Sequence, residues 1–209
     1  MLNEKKTEDD LREDYFRLLP LMRRMEFLLE SQIRWHLKSI IYDLEPYQRI
    51  EIRSRIKDCD RAISSLRRRR EGIFDPAQKY SLAELKDLVG FRILVFPESL
   101  ISTVNKIVTE KFSSLKSDPV LKKGNPEDII ALKYHGYINE HDKFQSEIQI
   151  VSMLIGLFWE VEHFTLYKQD PSFKGVISED LKNQNDKILD ALEEYSILFE
   201  STLRENLNN

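Results

Sequence analysis

Two acidic residues of this 209-residue chain lie in strongly apolar surroundings. Asp87 comes directly before the run LVGFRILVF, and Glu147 lies within the alternating segment SEIQIV. Alternate side chains of a strand point to opposite faces, so Glu147 and Gln149 share one face of the sheet. Carboxylates on neighbouring strands can converge on a divalent cation, and oxygen ligands suit Mg²⁺, which keeps waters and takes phosphates as its other partners. We therefore predict Asp87 and Glu147 as catalytic residues and Mg²⁺ ligands. The alternative is a polar helix boundary at Asp87 and a solvated sheet face at Glu147.

Positive charge is concentrated in one part of the chain, although the net charge is −4. Between Tyr47 and Arg70, nine basic residues stand against three acidic ones, which leaves a local charge of +6. The basic residues are Arg49, Arg53, Arg55, Lys57, Arg61, Arg67, Arg68, Arg69 and Arg70. Such a stretch in an acidic protein indicates a local anion site, and the alternative is the solvated face of a helix. The 6 glycines are isolated singles, so no glycine-rich phosphate loop can form and side chains must hold any phosphates.

Hydrophobic spacing predicts helices at both ends of the chain. Apolar residues recur at steps of three and four from Leu11 to Ile33, which predicts an amphipathic helical region over 7–44, divided or kinked at Pro20. Further helices are predicted over 58–70, 97–112, 152–167 and 178–203, with a short one opened by the capping-box pattern Ser81–Glu84. The predicted inner face of the last helix is Leu181, Ile188, Leu192, Tyr195 and Phe199.

Three strands are predicted between these helices, over 88–96, 129–139 and 144–152, with a turn at 140–143 and a loop over 113–127. The order of elements predicts an α+β fold, a mixed β-sheet core flanked by N-terminal and C-terminal helices. We expect a single domain over 1–209, with N-terminal helices over 1–46, an α/β core over 47–170 and a C-terminal helix over 171–209.

Composition excludes several classes of protein. The single cysteine, Cys59, excludes a disulfide framework and a cysteine-based zinc site, and it fits a reducing cytosol. The N-terminal segment lacks the apolar core of a secretory signal, and no apolar run reaches the length of a membrane span. We expect a cytoplasmic protein without a membrane partner.

An ordered set of strings in this sequence resembles the synthetase domain of the RelA/SpoT family. The strings are Lys86-Asp-Leu-Val-Gly-Phe-Arg92, Gly136-Tyr137, Glu147-Ile-Gln-Ile150, Phe158-Trp-Glu-Val-Glu-His163 and Tyr167-Lys168. Upstream, Arg55-Ile-Lys57 followed by a basic helix is similar to the ATP-binding signature of that family. The resemblance covers about residues 47–170, with the strings in the order of the family.

The resemblance implies a nucleotidyltransferase-like fold and a Mg²⁺-dependent pyrophosphokinase, which moves the β,γ-diphosphate of ATP to the 3′-hydroxyl of GDP or GTP and makes (p)ppGpp. It implies Mg²⁺ at Asp87, and metal binding or proton abstraction at Glu147. The ATP-binding residues that it implies are Arg55, Lys57, Arg67, Arg68 and Arg70. The residues that it implies around the acceptor nucleotide are Arg92, Tyr134, His135, Tyr137 and Gln149.

Three departures from the family pattern leave alternatives open. Arg61 stands where the family has a serine, Val151-Ser152 stands where it usually has Arg-Thr, and no Ser-x-His follows Gly136-Tyr137. In that loop His141 or His135 can take the place of the histidine, and Tyr134 or Tyr137 that of the aromatic residue.

Two other functions remain open. One is a toxin that pyrophosphorylates the 3′ end of tRNA under the control of an antitoxin protein, and the other is a catalytically inactive nucleotide sensor. The amphipathic ends of the chain also permit a homo-oligomer.

Overall fold

The structure, a computed structural model, describes residues 2–70, 79–122, 125–139, 142–162 and 179–207. The α-helices are α1 (Leu2–Tyr42), α2 (Cys59–Arg69), α3 (Ile101–Lys111), α4 (Met153–Glu162) and α5 (Glu179–Leu207). The strands are β1 (Arg49–Ile56), β2 (Val89–Phe96), β3 (Lys116–Ser117), β4 (Val120–Lys122), β5 (Asn125–Gly136) and β6 (Ser146–Ser152). Short 3₁₀ helices span Leu82–Glu84 and Glu98–Leu100. None of the helices in the described ranges has an apolar stretch long enough to cross a bilayer.

The six strands form one mixed sheet in the order β1-β2-β6-β5-β3, with β4 paired to β5. Strands β2 and β6 are parallel, whereas every other pair in the sheet is antiparallel. A parallel pair needs a crossover connection, and α3 lies in the segment between β2 and β6. The predicted α+β class with a mixed sheet and terminal helices is confirmed.

The main hydrophobic core lies between one face of the sheet and α1. The apolar positions of α1 from Leu11 to Leu37 are buried together with Phe91, Ile148 and Ile150 of the sheet. Pro20 does not divide the helix, which runs unbroken from Leu2 to Tyr42, so that part of the prediction is wrong. Pro20 is exposed, and the carbonyl group that loses its N–H partner there can bond to water.

A smaller core covers part of the opposite face of the sheet. It consists of Leu94, Ala131, Val151 and Ile155, with Leu189 of α5 packed against it. The chain passes from β6 into α4 at Ser152–Met153, so α4 folds back over β2 and β6. The other end of this face is polar and carries Glu147.

The strand predictions for β2, β5 and β6 are confirmed, but three other strands were missed. The segment RIEIRSRI forms β1, and β3 and β4 lie within the predicted loop over 113–127. The connection from β5 to β6 runs from Gly136 to Ser146, so it is longer than the predicted turn at 140–143. Residues 140–141 of that turn lie outside the described residues.

Helix α5 turns only part of its predicted inner face to the protein, since Leu192 and Phe199 are half-buried while two other members of that face are exposed. Ile188 is 42% exposed and Tyr195 is 54% exposed, whereas Ser196 is fully buried. The helix is held by the ring contact of Phe199 with Phe96 and by ion pairs of Lys122 with Asp190 and Glu193. Ion pairs, as well as the spacing of apolar residues, therefore determine which face of α5 packs against the protein. The side chain of Leu181 lies outside the described residues.

We predict that Gly156→Ala lowers the free energy of unfolding by about 1–3 kcal/mol, the usual range for overpacking of a core. A Cβ atom at Gly156 would lie 2.3 Å from Leu94 Cδ2 and 3.0 Å from Val151 Cγ1, and both neighbours are fully buried. Urea unfolding measures the change. Gly90→Ala is the matched control, because its Cβ would meet its nearest atom at an ordinary 3.5 Å. Equal stability of the two variants would contradict the close packing of α4.

We predict that Glu98→Gln stabilises the protein at neutral pH. Burial, and then the charges of Glu193 and Glu200, raise the pKa of Glu98 above its ordinary 4.5, and its Oε2 has no hydrogen-bond partner. The native state therefore holds this proton more tightly than the unfolded chain, so the charge destabilises the wild type as the pH rises through the raised native pKa. In unfolding experiments from pH 4 to 8, the advantage of the variant should grow with pH. An advantage that is largest at pH 4 would contradict this assignment.

Candidate active site

Strand register brings four residues into one row across the polar end of the sheet. Gly90 of β2 lies opposite Arg55 of β1 on one side and Glu147 of β6 on the other. Glu147 in turn lies opposite His135 of β5. Residues directly opposite each other share a face of the sheet, so Arg55, Glu147 and His135 project to the same side.

Asp87 lies at the edge of this row and forms an ion pair with Lys57. Asp87 Oδ2 accepts a hydrogen bond from Lys57 Nζ, which also donates to Ser65 Oγ at 3.2 Å. Both members of the pair are largely withdrawn from solvent, with side-chain exposures of 11% for Lys57 and 19% for Asp87. The other carboxylate oxygen, Asp87 Oδ1, is buried and has no hydrogen-bond partner among the residues that the structure describes.

Glu147 is close enough to Asp87 for the two charges to interact. Burial raises the pKa of Glu147, and the charge of Asp87 raises it further, while Lys133, Arg55 and Lys57 oppose the rise. Burial and a like charge both favour the protonated carboxyl group. A cation placed between the two carboxylates would relieve both effects.

The residues present fit the predicted Mg²⁺. Asp87 Oδ1 is an anionic oxygen without a partner, and Glu147 supplies a second carboxylate near it. The described residues contain no group of three or more His, Cys, Asp or Glu side chains arranged to hold a metal ion. Two carboxylates suit Mg²⁺, because this ion takes few protein ligands and completes its octahedron with water and phosphate oxygens.

The Arg55 side chain lies over Gly90 of β2, the residue of this row that has no side chain. A Cβ atom at Gly90 would lie 3.5 Å from Arg55 Nε and 3.7 Å from its Cγ. The guanidinium group is thereby directed towards Glu147, whose pKa its charge lowers. Gly90 therefore lets a positive group from the edge strand cross towards the carboxylates.

A second polar row follows two residues further along the strands. It consists of Arg53, Arg92, Gln149 and Lys133, which lie opposite one another in that order. Arg92 Nε donates to Gln149 Oε1 at 3.2 Å, and its guanidinium carbon lies 5.9 Å from the centre of the Trp159 ring. Burial lowers the pKa of Arg92, and the nearby Arg55 lowers it further.

Helix α4 covers this second row with an acidic residue. Glu160 forms a hydrogen-bonded ion pair with Arg53, and its Oε1 lies 3.7 Å from Arg92 Nη1. Arg92 Nη1 also donates to the carbonyl oxygen of Gly156 at 3.5 Å. Arg92 thus connects the sheet to α4, and one edge of its guanidinium is already in use.

The predicted arginines of α2 separate into two groups. Arg68 Nη2 donates to Ser65 Oγ at 3.3 Å, which puts Arg68 beside the Lys57–Asp87 pair. Arg67 pairs instead with Glu8 of α1. Arg70 pairs with Glu84 at 2.6 Å and lies 5.7 Å from the centre of the Tyr80 ring. The structure therefore brings Arg68 to Lys57 through Ser65, but it pairs Arg67 and Arg70 with acidic residues elsewhere.

The three residues predicted around the acceptor base lie in different environments. Tyr134 is buried on the opposite face of the sheet, where its hydroxyl group donates to Asn105 Oδ1 at 2.5 Å, so it does not join the site. His135 lies in the row of Glu147, and burial, followed by the charge of Lys86, lowers the pKa of its imidazole. Tyr137 is 47% exposed. His141, the other histidine considered, lies outside the described residues.

His135 and Tyr137 line an open cavity of about 430 Å³, and His135 lies opposite Glu147 across the paired strands β5 and β6. Its other lining residues are Lys86, Ser114, Lys116, Gly136, Ile138, Asn139 and Gln145. The cavity combines an aromatic ring, two ammonium groups and several amides. Such a wall can take a flat base on one side and anionic groups on the other.

Sequence reasoning missed four residues of the site. Ser65, Arg53, Lys133 and Glu160 contact or flank the predicted residues. The alternation in RIEIRSRI, with isoleucines at positions 50, 52 and 56, could have predicted β1 and so placed Arg53 two residues from Arg55 on one face. The other three depend on strand register and helix docking, for which the local sequence has no signal.

Comparisons with known proteins show the fold. The sequence matches no protein-family model, and no curated protein matches it at a significant level. Small alarmone synthetase 1 from Bacillus subtilis, bound to its product pppGpp, superposes with a TM-score of 0.72 at 16% identity, over 94% of this chain and 100% of that one. Small alarmone synthetase 2 from the same organism has a TM-score of 0.65 at 16% identity, over 92% and 99%. A GTP pyrophosphokinase family protein from Streptococcus pneumoniae has a TM-score of 0.62 at 14% identity, over 95% and 94%.

We predict that Lys57→Met lowers the free energy of unfolding by roughly 3 kcal/mol, because it leaves Asp87 as a largely buried charge without its partner. Adding Asp87→Asn should restore more than half of that loss, since the second substitution removes the unpaired charge. Urea unfolding of both variants checks this. Lys38→Met, at an exposed lysine of α1, is the control and should be close to neutral. A double variant less stable than Lys57→Met would show that Asp87 is not paired in this way.

Proposed function

Because the chain has the fold of the stand-alone small alarmone synthetases, the RelA/SpoT-type synthetase fold predicted from its sequence, we propose that it is a pyrophosphokinase. In this proposal the β,γ-diphosphate of ATP is transferred to the 3′-hydroxyl group of GDP or GTP, and the products are AMP and (p)ppGpp. Similarity of fold at 16% identity and below does not carry an activity. The side chains at the polar end of the sheet support the proposed activity.

One observation carries the proposal: a carboxylate pair is buried among cations at the polar end of the sheet. Asp87 Oδ1 has no partner, Asp87 raises the pKa of Glu147, and Lys57 holds the other oxygen of Asp87. A purely structural role does not explain two repelling carboxylates in one place, because the burial of each one costs free energy. Phosphoryl-type transfer does, since it needs charge neutralisation and in-line positioning more than covalent help.

ATP is bound by side chains in this proposal. Arg55 lies over Gly90 beside Glu147, Lys57 pairs with Asp87, and Arg68 shares Ser65 with Lys57. These three cations can neutralise the triphosphate, as the lack of a glycine-rich loop requires. Small alarmone synthetase 1 from Bacillus subtilis, which has the same fold, binds the ATP analogue AMPCPP. Arg67 and Arg70 are already paired with Glu8 and Glu84, so we assign them to the support of α2.

The reaction exchanges one P–O bond for another. The 3′-oxygen of the acceptor forms a bond to the β-phosphorus of ATP, the bond from that phosphorus to the oxygen that bridges the α- and β-phosphates breaks, and AMP leaves with the bridging oxygen. Glu147, which lies opposite Gly90 in the first polar row, accepts the hydroxyl proton. Asp87 and Glu147 would hold Mg²⁺, which when bound supplies charge neutralisation for the diphosphate. Arg55 and Lys57 orient and neutralise the phosphates from the two sides.

The acceptor lies in the cavity lined by His135 and Tyr137, next to Glu147. Tyr137 gives an aromatic face for a base, while Lys86 and Lys116 give positive charge for its phosphates. The pppGpp bound by small alarmone synthetase 1 has this combination of base and phosphates. Gln149 and Arg92 form the neighbouring row and limit the site on the side of α4.

The transfer of label from γ-labelled ATP tests this function. GDP, GTP and deacylated tRNA are offered separately with Mg²⁺, and chelation of the metal should abolish transfer. Label on a guanosine nucleotide supports the proposal, and label on tRNA alone assigns the chain to the tRNA-modifying function instead. The absence of any transfer, together with ATP binding, would leave the nucleotide-sensing function.

We predict that Asp87→Asn and Glu147→Gln each lower kcat on the order of 10²–10⁴-fold, which is the usual contribution of a positioned acid–base or charge-stabilising group. Both substitutions keep the size of the side chain, so circular dichroism and the unfolding midpoint should show a folded protein. Asp43→Asn is the matched control, since it removes an exposed carboxylate that follows α1. Wild-type rates in Glu147→Gln would contradict the proposed mechanism.

A further inference from the structure

The Lys57–Asp87 pair is supported from behind by two consecutive residues of α1. Tyr15 is 7% exposed, and its hydroxyl group donates to the main-chain carbonyl oxygen of Lys57 at 3.0 Å. Burial raises the pKa of Tyr15, so the group remains a protonated donor at neutral pH. The contact joins residues 42 positions apart in the sequence.

This carbonyl group lies at the point where β1 gives way to α2. Strand β1 ends at Ile56, and Asp58 caps α2 by accepting from the amide of Arg61. The Lys57 amide donates at 2.9 Å to the carbonyl oxygen of Leu88, the residue between Asp87 and β2. Tyr15 therefore holds the main chain at Lys57, the residue whose side chain extends to Asp87.

The neighbouring residue of α1 holds the segment that leads to Asp87. Asp14 Oδ2 accepts from the Leu82 amide at 2.9 Å and from Ser81 Oγ at 3.0 Å, at the start of the 3₁₀ helix Leu82–Glu84. Asp14 is 9% exposed, and Arg17 compensates its charge through a bond of 2.5 Å to Oδ1. Leu85, fully buried, then connects this helix to Lys86 and Asp87.

We propose that Tyr15, together with Asp14, is a positioning residue for the Lys57–Asp87 pair, acting through the main chain of Lys57. This inference rests on the proposed function only where it concerns turnover. One turn of α1 contacts both segments that contribute to the pair, so it sets their separation. Tyr15 touches no substrate in this proposal, and its effect on the reaction passes through Lys57.

The test uses Tyr15→Phe, which removes one hydroxyl group and keeps the buried ring. Tyr42→Phe is the matched control, since Tyr42 is on the same helix and is 76% exposed. The first measurement is the NMR signal of the Lys57 ammonium group in protein labelled with ¹⁵N-lysine, assigned with Lys57→Arg. We expect the signal to shift or broaden in Tyr15→Phe and to stay unchanged in Tyr42→Phe.

The second measurement is a double-mutant cycle on kcat. Tyr15→Phe should lower kcat about fivefold, the size expected for one hydrogen bond, with a smaller change in KM for ATP. In the Lys57→Ala background the same substitution should have no further effect on kcat, because the side chain through which Tyr15 acts is absent. A merely structural role would give the same loss in both backgrounds.

Two outcomes overturn the inference: an unchanged Lys57 signal in Tyr15→Phe, or additive effects on kcat in the cycle. A wild-type protein that transfers no diphosphate overturns the proposed function instead. The NMR measurement then decides the role of Tyr15 alone, because it needs no activity.

Discussion

The parallel pairing of β2 with β6 is the constraint on which the site depends. It puts Gly90 beside Glu147 and Arg92 beside Gln149, although 57 residues separate each pair in the sequence. Parallel strands begin at the same end of the sheet, so Asp87, which precedes β2, and Glu147, the first charged residue of β6, come to that end together. The antiparallel strands on either side then add Arg55 and His135 to that end. The register thus places Arg55, Glu147 and His135 in one row and brings Asp87 to its edge.

The charges of the two polar rows are neutralised in different ways. The two carboxylates repel each other, and burial disfavours both, yet Lys57, Arg55 and Lys133 offset part of that cost. The second row is balanced differently, because Glu160 brings an acid from α4 to Arg53 and Arg92. At the edge of the first row, Asp87 Oδ1 has no hydrogen-bond partner among the described residues, whereas Arg53 and Arg92 of the second row pair with Glu160. The proposed function assigns the binding of a cation with its phosphates to the first row for that reason.

Elements with a strong hydrophobic period were predicted correctly from the sequence. The prediction failed where the structure depends on ion pairs or on contacts between residues far apart in the sequence. The spacing from Leu11 to Ile33 and the apolar run before Phe96 predicted α1 and β2 correctly. Strand β1 was missed because arginines at alternate positions were taken for a basic stretch beside a helix, and β3 and β4 are only two and three residues long. Within the site, Asp87 and Glu147 were predictable from polar residues in apolar strands. Separating Arg68 from Arg67 and Arg70 required the positions of Glu8 and Glu84, which only the folded chain provides.

The close packing of Gly156 also determines which wall of the site is rigid. With no side chain at that position, α4 lies so near to Leu94 and Val151 that there is no clearance for it to tilt towards the sheet. Arg92, bonded to the Gly156 carbonyl oxygen, is fixed to the same body. The α4 side of the candidate site is therefore rigid, and its shape is set before any ligand binds. Any adjustment to acceptors of different size falls to the opposite wall, where half-exposed Tyr137 borders the cavity.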